Sequence, residues 1–407
     1  MGGRNKEVFM RCKIETERAD LFDVNIQIVM CIKLDKEVPF AELKTAFEKA
    51  CRCHEVLRSK IVIEQSGEAY YVDNEEPQNS ISETGKNLYQ LINENERKRF
   101  RIEEGEFIRA FSSPDGIVFM MHHLGGDGKS LVYFIETFMK CLSGKECEFL
   151  PFRNLGLNDL PENSRLPFYY EPLVKSWNKK WLKEKKVFSF EDMDKAYSDF
   201  WKEKKTETVI TRYEGERLES IIKDAKESGA TLTSYLIADM IKGSEKKMNV
   251  GLAVDGRLDK NRCMGNQATG ISVEYKYNDK KSLGGNAKAI HDLMQKKLSD
   301  SKERYLVLQF MGKLDSTLKD SLNLVRAGYF TNKLSKKIGG LLGYGDKVKD
   351  ISITNLTRVD IPLQYGEYQI KEISFIPPVV SYAGNVIGIV TAGDVMTVSR
   401  HVYSDKN

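Results

Sequence analysis

The chain has 407 residues, of which 41% are hydrophobic and 30% are charged, and its net charge is only +4. This composition is typical of a globular protein with a sizeable core, long enough for two domains or one large two-lobed domain. So small a net charge gives no argument for a nucleic acid or an anionic membrane as a partner. We find no apolar run near the length of a membrane span, about 20 residues, and no signal segment at the start. We therefore expect a cytoplasmic protein without a membrane span.

The seven cysteines give no sign of a disulfide framework or a zinc ribbon. Their number is odd, and the closely spaced pair Cys51 and Cys53 lacks a matching second pair. Reduced thiols agree with a cytosolic location. The sequence does not determine the oligomeric state, and a monomer is compatible with it.

The first third of the chain alternates predicted strands with a predicted helix. Residues 25–32 form an apolar strand, and a helix with one apolar face begins at Pro39. Residues 61–73 predict a pair of strands around Ser66 and Gly67, where a turn is expected. These elements lead to the most informative stretch of the sequence.

Two of the five histidines of the protein, His122 and His123, stand side by side after a buried strand. The strand at 117–121 follows a turn at 114–116, and an amphipathic helix follows from Leu131 onward. Glycines and Asp127 turn the chain between strand and helix, and Asp127 is placed to cap the helix. A neutral imidazole at such a strand end can act as a general base near pH 7.

Three other interpretations of this stretch stay open. A phosphate-binding P-loop ending in Gly128-Lys129-Ser130 requires glycine at position 123, where the chain has histidine. A metal site of His122, His123 and Asp127 is disfavoured, because adjacent strand residues point to opposite faces. The third alternative is a pair of buried histidines with a purely structural role.

The pattern His122-His123-x-x-x-Asp127-Gly128 resembles the signature of the chloramphenicol-acetyltransferase-like superfamily. This superfamily includes peptide-synthetase condensation domains and acyltransferases that depend on CoA or on a carrier protein. The resemblance implies a catalytic set of His122, His123, Asp127 and Gly128, with no metal. His123 is then the base that deprotonates an acceptor as it attacks a thioester. Asp127 is a structural anchor that pairs with an arginine.

Two arginines are candidates for the partner of Asp127, and only one of them need pair with it. Arg58 lies in a segment, 53–59, that resembles the Arg-His-x-x-Leu-Arg-Thr stretch of condensation domains, with Cys53 and Ser59 as departures. In that segment His54 matches a structural position. The alternative interpretation of Arg58 is a solvent-exposed residue at a helix end. Arg257 follows a predicted strand in an Asp-x-Arg turn that recurs in the superfamily.

The last quarter of the chain contains a second candidate element of the site. Four glycines between 336 and 347 predict a mobile loop. The following strand, 350–356, resembles the family's Ser-Asn-Leu-Gly strand, with Thr357 in place of glycine. Ser352 and Thr354 alternate onto one face, so either hydroxyl is a candidate donor to a developing oxyanion. Two surface hydroxyls without a catalytic role are the alternative.

The resemblance implies an α/β fold with two similar lobes, a pseudo-dimer of chloramphenicol-acetyltransferase-like subdomains. Each lobe is expected to be a mixed sheet with helices, and an active-site tunnel is expected between them. We place the N-terminal lobe with the catalytic loop at 1–180 and the C-terminal lobe at 181–407, because 150–168 is linker-like.

The implied activity is acyl transfer from a phosphopantetheine thioester to an alcohol or amine. The partners are then an acyl-CoA or an acyl carrier protein and a small-molecule acceptor. No tightly bound cofactor is expected, since CoA or phosphopantetheine is a co-substrate. A single catalytic motif without a carrier or adenylation segment favours a free-standing enzyme with a CoA donor. The alternatives are a free-standing condensation enzyme that forms an amide and a non-catalytic carrier-binding module.

Overall fold

The computed structural model describes residues 11–344 and 349–405. Its strands are β1 (Arg11–Lys13), β2 (Gln27–Leu34), β3 (Ser59–Ile63), β4 (Ala69–Asp73), β5 (Ser80–Glu83), β6 (Ile108–Ser113), β7 (Gly116–His122), β8 (Lys204–Glu214), β9 (Met248–Asp255), β10 (Ala268–Tyr275), β11 (Ile351–Arg358), β12 (Gln364–Tyr365), β13 (Tyr368–Ile376), β14 (Asn385–Ala392) and β15 (Val395–Asp405). Its helices are α1 (Phe40–Cys53), α2 (Leu88–Asn95), α3 (Gly128–Leu142), α4 (Glu171–Trp181), α5 (Phe190–Glu203), α6 (Gly215–Glu227), α7 (Leu232–Met240), α8 (Leu283–Ser299), α9 (Ser301–Lys313), α10 (Ser316–Arg326) and α11 (Lys333–Leu342).

The first large sheet has the strand order β12-β13-β2-β7-β6-β5. Its centre is the antiparallel pair of β2 and β7, in which Gln27 lies opposite His122. Phe119 of β7 packs edge-on against Phe134 of α3, and Phe134 also meets Phe47 of α1. Because helices cover this sheet, β7 is a continuous apolar run rather than an alternating one. The buried pair of elements β7 and α3 fixes the position of the histidines between them.

The second large sheet has the order β10-β9-β11-β14-β15-β8 and is mixed. Strand β11 runs parallel to both of its neighbours, whereas the other pairs are antiparallel. Ile353 of β11 belongs to a buried cluster with Ile237 of α7 and Ile290 of α8. Side chains alternate along a strand, so Ser352 and Thr354 lie on the opposite face from this core. The two sheets with their helices confirm the predicted α/β class.

One strand crosses between the two halves of the chain. Strand β13 comes late in the sequence but pairs antiparallel with β2 of the first sheet. Two hydroxyls of β15, those of Thr397 and Ser399, donate to backbone carbonyls of β13 and so tie the sheets together. The lobe boundary near residue 180 stays a prediction, but the first sheet draws strands from both sides of it.

Two local predictions had different outcomes. The strand pair predicted at 61–73 is confirmed as β3 and β4, which pair antiparallel in a small sheet with β1. The mobile loop predicted at 336–347 was wrong up to Leu342, because α11 occupies that stretch. Ile338 and Gly339 are buried on one face of α11, and this packing stabilises a helix that glycines alone disfavour. Residues 345–348 lie outside the described residues.

Among the helices of the described residues, none is both long enough and apolar enough to cross a membrane.

Candidate active site

His122 is the last residue of β7 and holds the turn that follows it. Its Nδ1 accepts a hydrogen bond of 3.1 Å from the Leu124 N–H, at the start of a short 3₁₀ helix. The residue is only 4% exposed, and burial lowers its pKa to about 3. Burial therefore favours the neutral form of His122, and its side chain supports the turn instead of facing solvent.

His123 begins the 3₁₀ helix and is the more accessible of the two histidines. Its backbone N–H donates to the Ile26 carbonyl over 3.0 Å, which fixes the residue to the start of β2. The side chain is 19% exposed, but its Nδ1 is buried, so the accessible part of the ring is another edge. Burial lowers the pKa of His123, although Asp127 and its own backbone carbonyl act in the opposite direction. A neutral, partly accessible imidazole of this kind can accept a proton.

Asp127 caps helix α3, as its position in the sequence predicted. Its Oδ1 accepts the Ser130 N–H at 2.9 Å and the Ser130 hydroxyl at 3.1 Å. Both of its oxygens are bound by Arg257, at 2.9 and 3.0 Å, and Oδ2 also accepts the Gln267 N–H at 3.1 Å. Burial would raise the pKa of Asp127, but Arg257 and these N–H groups hold it below its ordinary value. Asp127 is thus an ionised anchor between the two halves of the chain.

Of the two candidate arginines, Arg257 pairs with Asp127 and Arg58 does not. The Arg257 side chain is 3% exposed and also contacts Asp255. Arg58 ends a short 3₁₀ helix at the surface, where its guanidinium lies over the Phe149 ring at 5.9 Å. The solvated end of that helix keeps Arg58 in water, which was the alternative for this residue.

Two glycines of the turn between β7 and α3, Gly126 and Gly128, are required by the backbone and by close packing. Gly126 has φ of +150°, and a Cβ there would lie 2.4 Å from the Ser130 Cβ. Gly128 opens helix α3, and a Cβ on it would come within 3.0 Å of Leu356 and 3.3 Å of Phe375. Gly128 therefore allows strands β11 and β13 to approach the turn that follows His123.

Ser352 and Thr354 lie half-buried in β11, on the sheet face that also carries Leu356. Leu356 contacts Gly128, so this face is directed toward the start of α3. Within the described ranges, no hydrogen bond joins either hydroxyl to His123. Their role as donors to an oxyanion stays a prediction.

One group beside His123 could not be recognised from the sequence. Asp20 ends the 3₁₀ helix Thr16–Asp20, and its Oδ2 lies 3.8 Å from the His123 Nδ1. Asn266, two residues after Met264, donates its side-chain N–H to the same oxygen over 2.7 Å. Both residues are far from the motif in sequence and sit in segments without a periodic pattern, so only the fold brings them together.

Two open grooves at the surface do not include the histidine motif. One lies between the end of α4 and the start of α11, and the other lies beside Arg99, Arg109 and Trp201. The tunnel expected between the lobes stays a prediction. In the part of the chain that the structure describes, no three histidine, cysteine or carboxylate side chains are grouped as metal ligands.

No model of a known protein family matches the sequence, and no curated protein sequence matches it. Solved structures do match the fold along nearly its full length. The first condensation domain of the calcium-dependent antibiotic synthetase has a TM-score of 0.62 and 14% identity, over 98% of this chain and 91% of that one. The TRI3 trichothecene 15-O-acetyltransferase from Fusarium sporotrichioides has a TM-score of 0.62 and 13% identity, over 100% and 93%.

A third similar structure is the starter condensation domain of rhizomide synthetase RzmA, in a complex with C8-CoA and Leu-SNAC. Its TM-score is 0.59 and its identity 10%, over 96% of this chain and 88% of that one. The chain therefore has the fold of condensation domains and related acyltransferases. This confirms the two-lobed chloramphenicol-acetyltransferase-like architecture that the histidine motif predicted.

Proposed function

We propose that this protein is an acyltransferase that moves an acyl group from a phosphopantetheine thioester to an alcohol or amine. The observation that carries the proposal is the geometry of His123. Its ring is partly accessible, burial keeps it neutral, and its turn is anchored by the Asp127–Arg257 pair. A general base needs these three properties, and they occur together on a fold shared with acyl-transferring proteins.

In the proposed reaction, the accessible nitrogen of His123 accepts the proton of the acceptor's hydroxyl or amine. The acceptor atom attacks the thioester carbonyl, and the carbon–sulfur bond breaks as the new ester or amide forms. The proton then passes from His123 to the leaving thiolate, so the free thiol is released and the base is restored. No covalent intermediate on the protein is required, because acceptor and donor react directly.

The acyl donor is an acyl-CoA or an acylated carrier protein, and both present the acyl group as a phosphopantetheine thioester. The complex of the RzmA starter domain with an acyl-CoA and an aminoacyl thioester supports a thioester donor for a protein of this fold. Since the present chain carries a single histidine motif, we favour CoA as the first donor to test.

The test measures thiol release from acyl-CoAs of increasing length, from acetyl to palmitoyl, with a mixed pool of alcohols and amines. The same acyl groups are also offered on a carrier protein. We expect release that depends on both the acceptor and the histidine. Replacing His123→Ala should lower the rate about 10²- to 10⁴-fold, the usual contribution of a general base.

His291→Ala, on helix α8, is the matched control and should leave turnover unchanged. Equal release by wild type and His123→Ala would show that the histidine is not the base. Absence of release from both donor types, with folded proteins, would favour the non-catalytic carrier-binding module instead.

A further inference from the structure

Asp20 and His123 form a carboxylate–imidazole pair at the centre of the site. The Asp20 Oδ2 lies 3.8 Å from the His123 Nδ1, and their side chains are 11% and 19% exposed. The His123 Nδ1 is buried and has no other side-chain partner among the described residues. Asp20 is therefore a carboxyl group placed beside the nitrogen that faces away from the accessible edge of the ring.

The position of Asp20 is fixed from the other half of the chain. Asn266 donates its side-chain N–H to Oδ2 of Asp20 over 2.7 Å, and its own side-chain oxygen accepts the Ala268 N–H at 3.2 Å. These two bonds set the orientation of the Asn266 amide. The adjacent Gln267 N–H binds Asp127, so one short segment holds both Asp127 and Asp20. These contacts hold the Asp20 carboxylate in one orientation beside His123.

We propose that Asp20 is a positioning residue that orients the His123 imidazole and stabilises its protonated form during acyl transfer. The inference rests on the proposed function, and it adds a group that the histidine motif does not contain. An ionised Asp20 favours the tautomer with hydrogen on Nδ1, which leaves the other nitrogen free to accept a proton. When the acceptor's proton reaches His123, the resulting imidazolium is paired with a carboxylate.

The charge state of Asp20 decides whether this pairing works. Burial raises the pKa of Asp20 to about 7, although the hydrogen bond from Asn266 acts to lower it. Above that pH the carboxylate is ionised and supports the active tautomer. Below it, a protonated Asp20 can donate to Nδ1 and favour the tautomer in which the accessible nitrogen already carries hydrogen. The transfer rate should therefore fall as pH decreases through about 7.

Other ionisable groups surround Asp20 and His123, and their effects on the titration have to be distinguished from that of Asp20. Those that act on His123 or lie near Asp20 are Asp23, Asp127, His122, Glu17, Tyr71, Tyr344 and Tyr382, and, on the α10 side, Lys319 and the Arg18–Asp320 pair. Glu17 is the best control among them, because it is a buried carboxyl in the same short helix. Its hydrogen bonds run to Thr16 and Asn154 rather than to His123.

The first experiment is a nitrogen-15 NMR titration of the histidine rings, with the His123 signal assigned by its loss in His123→Gln. It needs no substrate. In wild type we expect hydrogen on Nδ1 of neutral His123. In Asp20→Asn we expect a shift toward the other tautomer and a lower pKa of His123, because its negative partner is gone. Glu17→Gln should match wild type. An unchanged His123 signal in Asp20→Asn overturns the proposal.

The second experiment is the pH dependence of kcat and KM in the thiol-release assay. We expect Asp20→Asn to lower kcat about 10- to 100-fold with little change in KM, a loss within the range of acid–base contributions. The acidic limb near pH 7 should move to lower pH in this variant, and further than in Glu17→Gln, whose charge acts on Asp20 but makes no contact with His123. Equal losses in both variants, or an unmoved limb in Asp20→Asn, would contradict the positioning role.

Asn266→Ala gives an independent variant should Asp20→Asn fail to fold. It keeps the carboxylate but removes the hydrogen bond that lowers its pKa, so the acidic limb should move to higher pH. A limb that stays in place overturns the proposal. If wild type releases no thiol from any donor, the proposed function fails, and the NMR titration still decides whether Asp20 pairs with His123.

Discussion

The carboxylate of Asp127 accepts hydrogen bonds from both halves of the chain. Ser130 binds it from its own helix, while Arg257 and Gln267 bind it from the segment between β9 and β10. A buried carboxylate needs such partners, because an unpaired charge in a protein interior is strongly unfavourable. The catalytic turn is therefore held by the contact between the halves and is not a property of the motif alone.

The pair of arginine candidates offers a direct comparison. We expect Arg257→Met to lower the free energy of unfolding by about 3–5 kcal/mol, since it leaves Asp127 buried without its counter-ion. It should also abolish acyl transfer, because the turn that carries His123 loses its anchor. Arg58→Met should change stability by less than about 0.5 kcal/mol, as is usual for an exposed residue. Urea unfolding and thiol release measure both effects; equal destabilisation by the two variants would contradict the assignment of Arg257.

At the scale of residues, the sequence predicted the groups whose roles depend on near neighbours. The cap at Asp127 and the placement of His123 at a strand end follow from a few adjacent positions. The ion pair with Arg257 joins residues 130 positions apart, and Asp20 and His123 are also far apart in sequence, so no local pattern predicts either contact. The resemblance supplied Arg257 as a candidate but could not choose between it and Arg58.

Strand β11 ends in an irregular stretch that carries backbone strain. Its pairing with β14 shifts between Asn355 and Arg358, and Thr357 has φ of +59°. A β-branched side chain is unfavourable in this left-handed conformation, by about 1–2 kcal/mol. Glycine, the residue expected at this position from the strand motif that the sequence resembles, adopts this conformation without that penalty.

We expect Thr357→Gly to stabilise the protein by about 0.5–1 kcal/mol, because glycine adopts this conformation without a steric penalty. The Thr357 side chain is exposed, and its backbone N–H donates to the Asn355 Oδ1 over 2.7 Å. Glycine can keep this backbone hydrogen bond. Thr354→Gly, in the regular part of β11, is the control and should destabilise by about 1 kcal/mol. Thermal unfolding measures the stability of both variants. A loss of stability in Thr357→Gly would contradict the inference that the backbone at Thr357 is strained.

At the scale of elements, strong apolar patterns gave correct predictions and glycine-rich ones did not. The run before His122 and the periodic residues after Asp127 predicted β7 and α3, whose side chains are almost all buried. Helix α11 was missed because its stability comes from packing of Ile338 in a cluster with Leu318 and Leu322 of α10. Tertiary burial there outweighs the low helix propensity of the two glycines inside it.

Across the whole molecule, a buried polar cluster joins the second sheet to the segments that precede β2 and follow α2. Glu96 follows α2 and accepts hydrogen bonds from Asn25 and Thr206. His401 of β15 lies 3.0 Å from the same carboxylate, and the side chains of the two are 3% and 1% exposed. Burial alone would lower the pKa of His401, but Glu96 and the Pro377 carbonyl raise it above its ordinary value. The protonated form of His401 is thus favoured by folding.

This cluster predicts a pH dependence of stability. Because the pKa of His401 is raised in the folded state, its contribution is complete below the unfolded value of about 6.5. It is lost as pH rises through the folded value, with a slope of at most about 1.4 kcal/mol per pH unit for one proton. We expect His401→Gln to be less stable than wild type at pH 6 and to approach it at high pH. Urea unfolding between pH 5 and 9 measures this, with His291→Gln as the control; a pH-independent difference would contradict the linkage.

The architecture was predicted as a whole, but its connections were not. The histidine motif implied two similar lobes, and the solved structures confirm that fold. Pairing of β13 with β2 joins residues separated by more than three hundred positions. Strand β2 is mostly apolar and β13 mixes apolar with polar residues, and patterns of this kind fit several partners. Strand order depends on which edges meet in three dimensions, and hydrophobic periodicity carries no information about that choice.

The position of β13 late in the sequence affects how the protein folds during its synthesis on the ribosome. Strand β2 has buried residues at six of its eight positions, and its outer edge stays unpaired until β13 is made. At ordinary rates of synthesis, about 5–20 residues per second, that interval is roughly tens of seconds. An open apolar edge of this kind invites aggregation. The nascent chain should therefore depend on holding chaperones, although the finished fold has no such exposed strand at this position.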